Sequence, residues 1–193
     1  MPIPTPTPAH VVYRTRRLAE MLSWYETVLG TRVVYSNAAM TFITFDSDHH
    51  RFAFLDLNTL APHGSPESGG PVGVDHVAYD LPSMLALLEA WESLKSEGIE
   101  PYWCVNHGMS ASLYYADPDG NQMEFAVDCY ASKRECNDYW ASAEIGENPV
   151  GVEFDPAEWL ERLRAGEEQC DLMKIDLSRD PSPIRGRLEA ILA

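Results

Sequence analysis

Three residues of this chain are polar where their surroundings are apolar. His10 stands in the strand-like run 9–13, His76 in the run 74–79, and Glu124 between Met123 and Phe125. Successive side chains of a strand face opposite ways, so His10 shares a face with Val12 and His76 with Ala78. On the inner face of a sheet each such group needs a partner, because burying an unpaired polar group costs free energy. Two imidazoles and one carboxylate can share a single cation as that partner. Ligation by two histidines and one carboxylate leaves positions open, and non-haem Fe(II) sites use those positions to take substrate and O2 together. Taken singly, each residue has a plainer reading, as a hydrogen-bonded core histidine or a solvent-facing strand glutamate.

What ties the three together is that the elements carrying them repeat. The strand at 9–13 leads into a helix with Leu18, Met21, Leu22, Tyr25, Val28 and Leu29 on one face, closed by Gly30. Strand-like runs follow at 31–35, 40–45 and 51–55, and a Pro/Gly/Ser-rich linker at 61–71 ends the first half. The second half has a strand at 74–79 and a helix with Met84, Leu87, Leu88, Trp91 and Leu94 on one face, stopping at Gly98. Strands at 101–104, 111–115 and 122–126 complete it. Two βαβββ halves constitute an internal duplication. Residues 45–54 can be laid without gaps on 116–125, which matches Asp46 with Asp117, Asp48 with Asp119 and Phe54 with Phe125, and sets Ala53 opposite Glu124. His10 falls opposite His76, each in the opening strand of its half. The expected fold class is α+β, with two βαβββ modules forming a cupped mixed sheet around a metal site.

The expected organisation is a proline-rich lead-in at 1–8, a duplicated domain at 9–128 with halves 9–60 and 73–128, and a mainly helical extension at 129–193. In the extension, residues 156–164 read as a helix capped by Asp155, and 185–192 as another. With 14 basic and 30 acidic residues the formal net charge is −16, which repels phosphate backbones and anionic lipid and argues against nucleic-acid or membrane partners. The N-terminus lacks the basic and apolar regions of a secretory signal. The four cysteines form no CxxC pair and read as reduced thiols, so a cytoplasmic protein without a zinc–thiolate site is expected. P-loop, GxGxxG, nucleophile-elbow and HExxH motifs are missing.

The duplication, the opening-strand histidines and the stretch Tyr114-Tyr-Ala-Asp-Pro-Asp-Gly-Asn-Gln-Met-Glu-Phe125 resemble the vicinal oxygen chelate superfamily, over residues 9–128. That superfamily includes glyoxalase I, bleomycin-resistance proteins, metal-dependent epimerases and type I extradiol dioxygenases. Glyoxalase-like members use four ligand positions, and the fourth here is Ala53, which cannot ligate. His49-His50 resembles the His-His motif of extradiol dioxygenases, in which the second histidine is the acid–base residue beside the metal. Those enzymes also place a histidine and a tyrosine ahead of the glutamate ligand, where His107 and Tyr114 stand, although the stretch between them is somewhat short.

The resemblance therefore implies a single-module extradiol ring-cleavage dioxygenase of aromatic catabolism. Fe(II), or alternatively Mn(II), is expected on His10, His76 and Glu124, with a catechol-type diol and O2 as the small-molecule partners. His50 is expected to move protons, Tyr114 to hydrogen-bond a substrate oxygen, and His107 to orient a ring substituent or a hydroxyl. A homo-oligomer is the expected assembly. The alternatives are a non-oxidative lyase, isomerase or hydrolase using Mn(II), Zn(II) or Ni(II), and a metal-free binding protein of the bleomycin-resistance kind. The acidic extension has no function readable from its sequence.

Overall fold

The computed structural model describes residues 3–63, 72–116, 120–142, 144–187 and 189. Its first half runs β1 (Thr7–Thr15), α1 (Leu18–Leu29), β2 (Arg32–Ser36), β3 (Met40–Thr44), β4 (Phe52–Asp56) and a single helical turn, α2 (Leu57–Leu60). The second half runs β5 (Gly73–Asp80), α3 (Met84–Ser96), β6 (Trp103–Asn106), β7 (Ser110–Ala116) and β8 (Gln122–Asp128). After it come α4 (Lys133–Tyr139), α5 (Glu144–Glu147), β9 (Val152–Glu153), α6 (Pro156–Arg164) and α7 (Gln169–Leu172). All nine strands form one mixed sheet in the order β2-β3-β4-β1-β5-β8-β7-β6-β9.

Local chemistry sets the helix boundaries. Gly30, at φ 65°, closes α1 in the left-handed region that a side chain disfavours, and its N–H reaches Glu26 O at 2.9 Å. The Ser83 hydroxyl caps α3 by accepting from Ala86 N–H, and Asp155 caps α6 ahead of Pro156.

Register places the duplicated positions in equivalent surroundings. The parallel pair β1–β4 sets Val12 opposite Ala53, and the parallel pair β5–β8 sets Ala78 opposite Glu124. Val12 and Ala78 each lie two residues beyond a histidine, His10 and His76. The halves join through antiparallel pairing of β1 with β5, whose register shifts between Pro8 and Val11. His10 lies in that irregular stretch, where a bulge re-aims side chains.

The sheet has a core face and a cavity face. On the core face Leu113, Tyr115 and Phe125 pack with Leu87, Leu88 and Trp91 of α3 and with Trp159 and Leu160 of α6. Tyr114 and Glu124 alternate with these residues and turn the other way, opposite one another across β7–β8.

Several expectations shift. Strand β1 takes in Thr7 and Pro8, the end of the expected lead-in, and β6 begins at Trp103 rather than 101. The apolar face of α1 is only half-buried, with Leu29 45% exposed and Trp24 beside the face 56% exposed, whereas Met84, Leu87 and Leu88 of α3 are fully buried. The reason is that α6 packs on α3, and no described element covers α1 in the same way. The extension is not only helical, since β9 adds to the sheet edge beside β6. The expected helix at 185–192 lies largely outside the described residues, as do Asp117 and Asp119 of the gapless line-up and 64–71 of the linker. All four cysteines are free thiols, and no described helix is long and apolar enough to cross a membrane.

Gly151 holds the extension against β6. At φ 115° a Cβ there would stand 2.3 Å from Asn106 O, so Gly151→Ala must displace backbone. Urea denaturation of Gly151→Ala should show a loss of more than about 1 kcal/mol. An unchanged midpoint would mean that the extension is not seated this closely.

Candidate active site

A cavity of about 960 Å³, measured out to open solvent, lies on the cavity face of the sheet. His10 from β1, His76 from β5 and Glu124 from β8, three successive strands at the sheet centre, converge on it. Glu124 Oε2 lies 3.3 Å from His10 Nε2 and 3.1 Å from His76 Nε2. One candidate ligand atom from each residue lies within 4.8 Å of the other two, and no other such cluster occurs among the described residues. Ala53 also lines the cavity and is 1% exposed.

Burial alone would raise the Glu124 carboxyl, but the His10 and His76 imidazoles beside it take it well below the usual range. Burial likewise opposes charge on His76, yet Asp75 and Glu124 outweigh it and bring the imidazole up to about 9. For His10 burial prevails and the value falls. The fit is imperfect: despite the short distances, Glu124 Oε2 receives no well-directed hydrogen bond, and neither does His10 Nδ1. A buried carboxylate oxygen facing two imidazole nitrogens, none satisfying another, is a donor set suited to a divalent cation that accepts N and O ligands. Behind it, Asp75 Oδ1 lies 2.8 Å from His76 Nδ1, the outer contact that orients an imidazole ligand.

The other expected residues gather around the same space. The His50 ring lies 4.1 Å from that of His10 and edge-on to Phe42 at 4.9 Å. Burial above all holds His50 well below its ordinary value, which favours the neutral ring. His49 is buried behind it, with Nδ1 2.6 Å from His50 Nδ1 and Nε2 3.2 Å from Asp128 Oδ1. His107 has both nitrogens engaged, Nδ1 with Val150 O at 2.5 Å and Nε2 with the Tyr114 hydroxyl at 3.0 Å. A carbonyl only accepts, so Nδ1 carries the His107 proton and Nε2 accepts from Tyr114 O–H. Burial, then the Glu124 charge, push the Tyr114 hydroxyl well above its ordinary value, which keeps it a donor. His107 is therefore placed as the partner of Tyr114.

Sequence reasoning missed two groups. Asp75 is adjacent to His76, and that adjacency was the only signal it offered. The other group comes from the extension: Trp140, Ile145, Val150 and Ile184 line the cavity. Trp140 stacks on Tyr35 at 4.8 Å and packs on Phe42 at 4.5 Å.

A family model described as the glyoxalase/bleomycin resistance protein/dioxygenase superfamily matches residues 7–125. The chain is 45% identical over 162 residues to biphenyl-2,3-diol 1,2-dioxygenase 2 of Rhodococcus globerulus, covering 84% of each protein. It is 38% identical over 174 residues to biphenyl-2,3-diol 1,2-dioxygenase 3 of the same organism, covering 87% of each. Among solved structures, the Mn(II)-bound glyoxalase from Novosphingobium aromaticivorans superposes with a TM-score of 0.52 at 27% identity, over 62% of this chain and 37% of that one. The chain thus spans well under half the length of that structure.

Beside the cavity, Lys133 Nζ lies 2.7 Å from Asp128 Oδ2 and 2.9 Å from Asp48 Oδ1. Burial opposes the Asp128 charge, but hydrogen bonding from His49 and Lys133 overcomes it and brings the carboxyl down to about 2. A depressed carboxylate stabilises the fold above its unfolded value near 3.8, and that contribution disappears as pH falls through about 2. Asp128→Asn should therefore cost about 2 kcal/mol at pH 7, with the gap to wild type closing between pH 4 and 2. Urea melts across that range check it; a gap independent of pH would assign the loss to packing instead.

Proposed function

Since the chain belongs to the glyoxalase/bleomycin resistance protein/dioxygenase superfamily, we propose that it is an extradiol ring-cleavage dioxygenase, opening a catechol-type diol with O2 at an Fe(II) centre. The observation that carries this reading is the trio His10, His76 and Glu124, with alanine rather than a fourth ligand at position 53 and a neutral His50 beside it. Those three residues would hold the metal; Mn(II) suits the same donors. Bound there, Fe(II) would supply positive charge that lowers the pKa of a diol hydroxyl and open positions for both diol and O2.

The chain's own residues do the rest. His50 accepts the proton that the diol loses on binding and returns it to an oxygen later in the reaction, as a neutral imidazole can. Tyr114 turns its O–H from His107 to the substrate oxygen, and His107, anchored on Val150, fixes where that hydroxyl stands. Phe42, Trp140 and Ile145 provide an apolar wall for the aromatic ring and exclude water from it. The relatives named for biphenyl-2,3-diol support a ring carrying a bulky apolar substituent as substrate.

Anaerobic metal loading followed by oxygen uptake with a panel of catechols tests the reading. Fe(II)-dependent uptake with a yellow ring-opened product is expected, and absence of uptake with every diol and metal would overturn it. His76→Ala should remove most bound metal at nearly unchanged far-UV circular dichroism; full metal retention would sink the ligand assignment.

Ala53→Glu probes the vacant corner. It should hold or raise metal affinity while turnover collapses, because a fourth ligand, the second carboxylate, occupies a position the diol needs. Unchanged turnover would show that residue 53 does not face the metal.

A further inference from the structure

We propose that His49, tied to Asp128, is a positioning residue that fixes the orientation of the His50 ring and determines which of its nitrogens is presented to the cavity. The proposal rests on the reading of His50 as the acid–base group and adds the machinery behind it. His49 and His50 are both buried, at 4% and 5% exposure. The two rings meet through their Nδ1 atoms at 2.6 Å, while His50 Nε2 is buried and finds no hydrogen-bond partner among the described residues.

The direction of this chain follows from donor and acceptor rules. The Asp128 carboxylate lies 3.2 Å from His49 Nε2 and can only accept, so His49 carries its proton on Nε2. We take His49 with this single proton, so that its Nδ1 is a bare lone pair facing His50 Nδ1 at 2.6 Å. The bond between the rings then takes its proton from His50 Nδ1, which leaves Nε2 as the bare nitrogen of that ring. Asp128 thus sets the tautomer of a ring it does not touch, by the logic through which a buried carboxylate orients a catalytic histidine.

Each link of the chain is held independently. Lys133 Nζ lies 2.7 Å from the second oxygen of Asp128, and the His49 backbone N–H donates to Asp48 Oδ1 at 2.9 Å. Phe42 edge-on at 4.9 Å and the His10 ring at 4.1 Å confine the plane of His50, but packing does not distinguish the two nitrogens of an imidazole. Among the described residues, the bond to His49 does. Lys133 belongs to the helix that follows the duplicated unit, so the extension anchors this chain from behind.

The test reads the tautomer directly. Long-range 1H–15N correlation spectra of the 15N-labelled full chain loaded with Zn(II), a diamagnetic probe, show which ring nitrogen carries the proton; comparison with His50→Gln identifies the signals. Wild type should show His50 protonated on Nδ1. His49→Phe, which keeps a ring and removes both nitrogens, should lose that preference, and His49→Gln, whose amide oxygen can accept from Nδ1, should restore it. In oxygen uptake with catechol, His49→Phe should lower kcat by about 10- to 100-fold, toward the low end of what acid–base catalysis contributes, with KM and bound metal near wild type. His49→Gln should recover most of the loss. A wild-type His50 protonated on Nε2, or a His49→Phe variant with unchanged tautomer, overturns the proposal. Should His49→Phe fail to fold, the wild-type and His49→Gln spectra decide. Wild type that turns over no diol refutes the dioxygenase reading, and the spectra judge the positioning role separately.

Discussion

Glu124 is 1% exposed on a strand near the middle of a nine-stranded sheet, so its carboxylate has lost its water and must be compensated by fixed neighbours. Compensation comes from His10 and His76, which belong to different halves and meet only because β1 pairs with β5. Removing one partner of such a buried arrangement costs several kcal/mol, so the contact between the halves is energetically sensitive. The register shift near His10 and the parallel pairs β1–β4 and β5–β8 all serve to bring three polar side chains to one point. A protein that needed only stability would fill that point with leucine.

The two halves share a backbone plan but not an environment. Equivalent register gives one half Ala53 and the other Glu124, so the cluster is three-cornered with a vacant side facing Phe42 and His50. The extension deepens the asymmetry. Its helix α6 covers α3, its strand β9 lengthens the sheet, and Trp140, Ile145 and Val150 wall the cavity, whereas α1 keeps a half-exposed apolar face. A single duplicated unit by itself would leave the cavity open on that side.

Around the cavity one device recurs. An acceptor stands behind an imidazole and fixes one nitrogen, leaving the other for the site: Asp75 behind His76, Val150 O behind His107, and Asp128 through His49 behind His50. Only His10 lacks such a backing, since its Nδ1 is buried without a partner among the described residues. The chain's net charge of −16 makes these acceptors abundant, and Lys133 gathers Asp48 and Asp128 so that they do not repel one another.

Periodicity and chain order were enough to read the βαβββ repeat, the helix faces of α1 and α3, the Asp155 cap of α6, and the placement of His10, His76 and Glu124 at matching points of the two halves. These features are local, or follow from a repeat that the residues themselves display. The part played by Asp75, the line from Asp128 through His49 to His50, and the closing of the cavity by Trp140 and Val150 were not legible. They join residues as much as 79 positions apart, as His49 and Asp128 are, and only chain packing brings such residues together. The resemblance to a His-His motif singled out His50; the fold alone showed His49 buried directly behind it, because the segment before β4 is not a regular strand and both rings are buried.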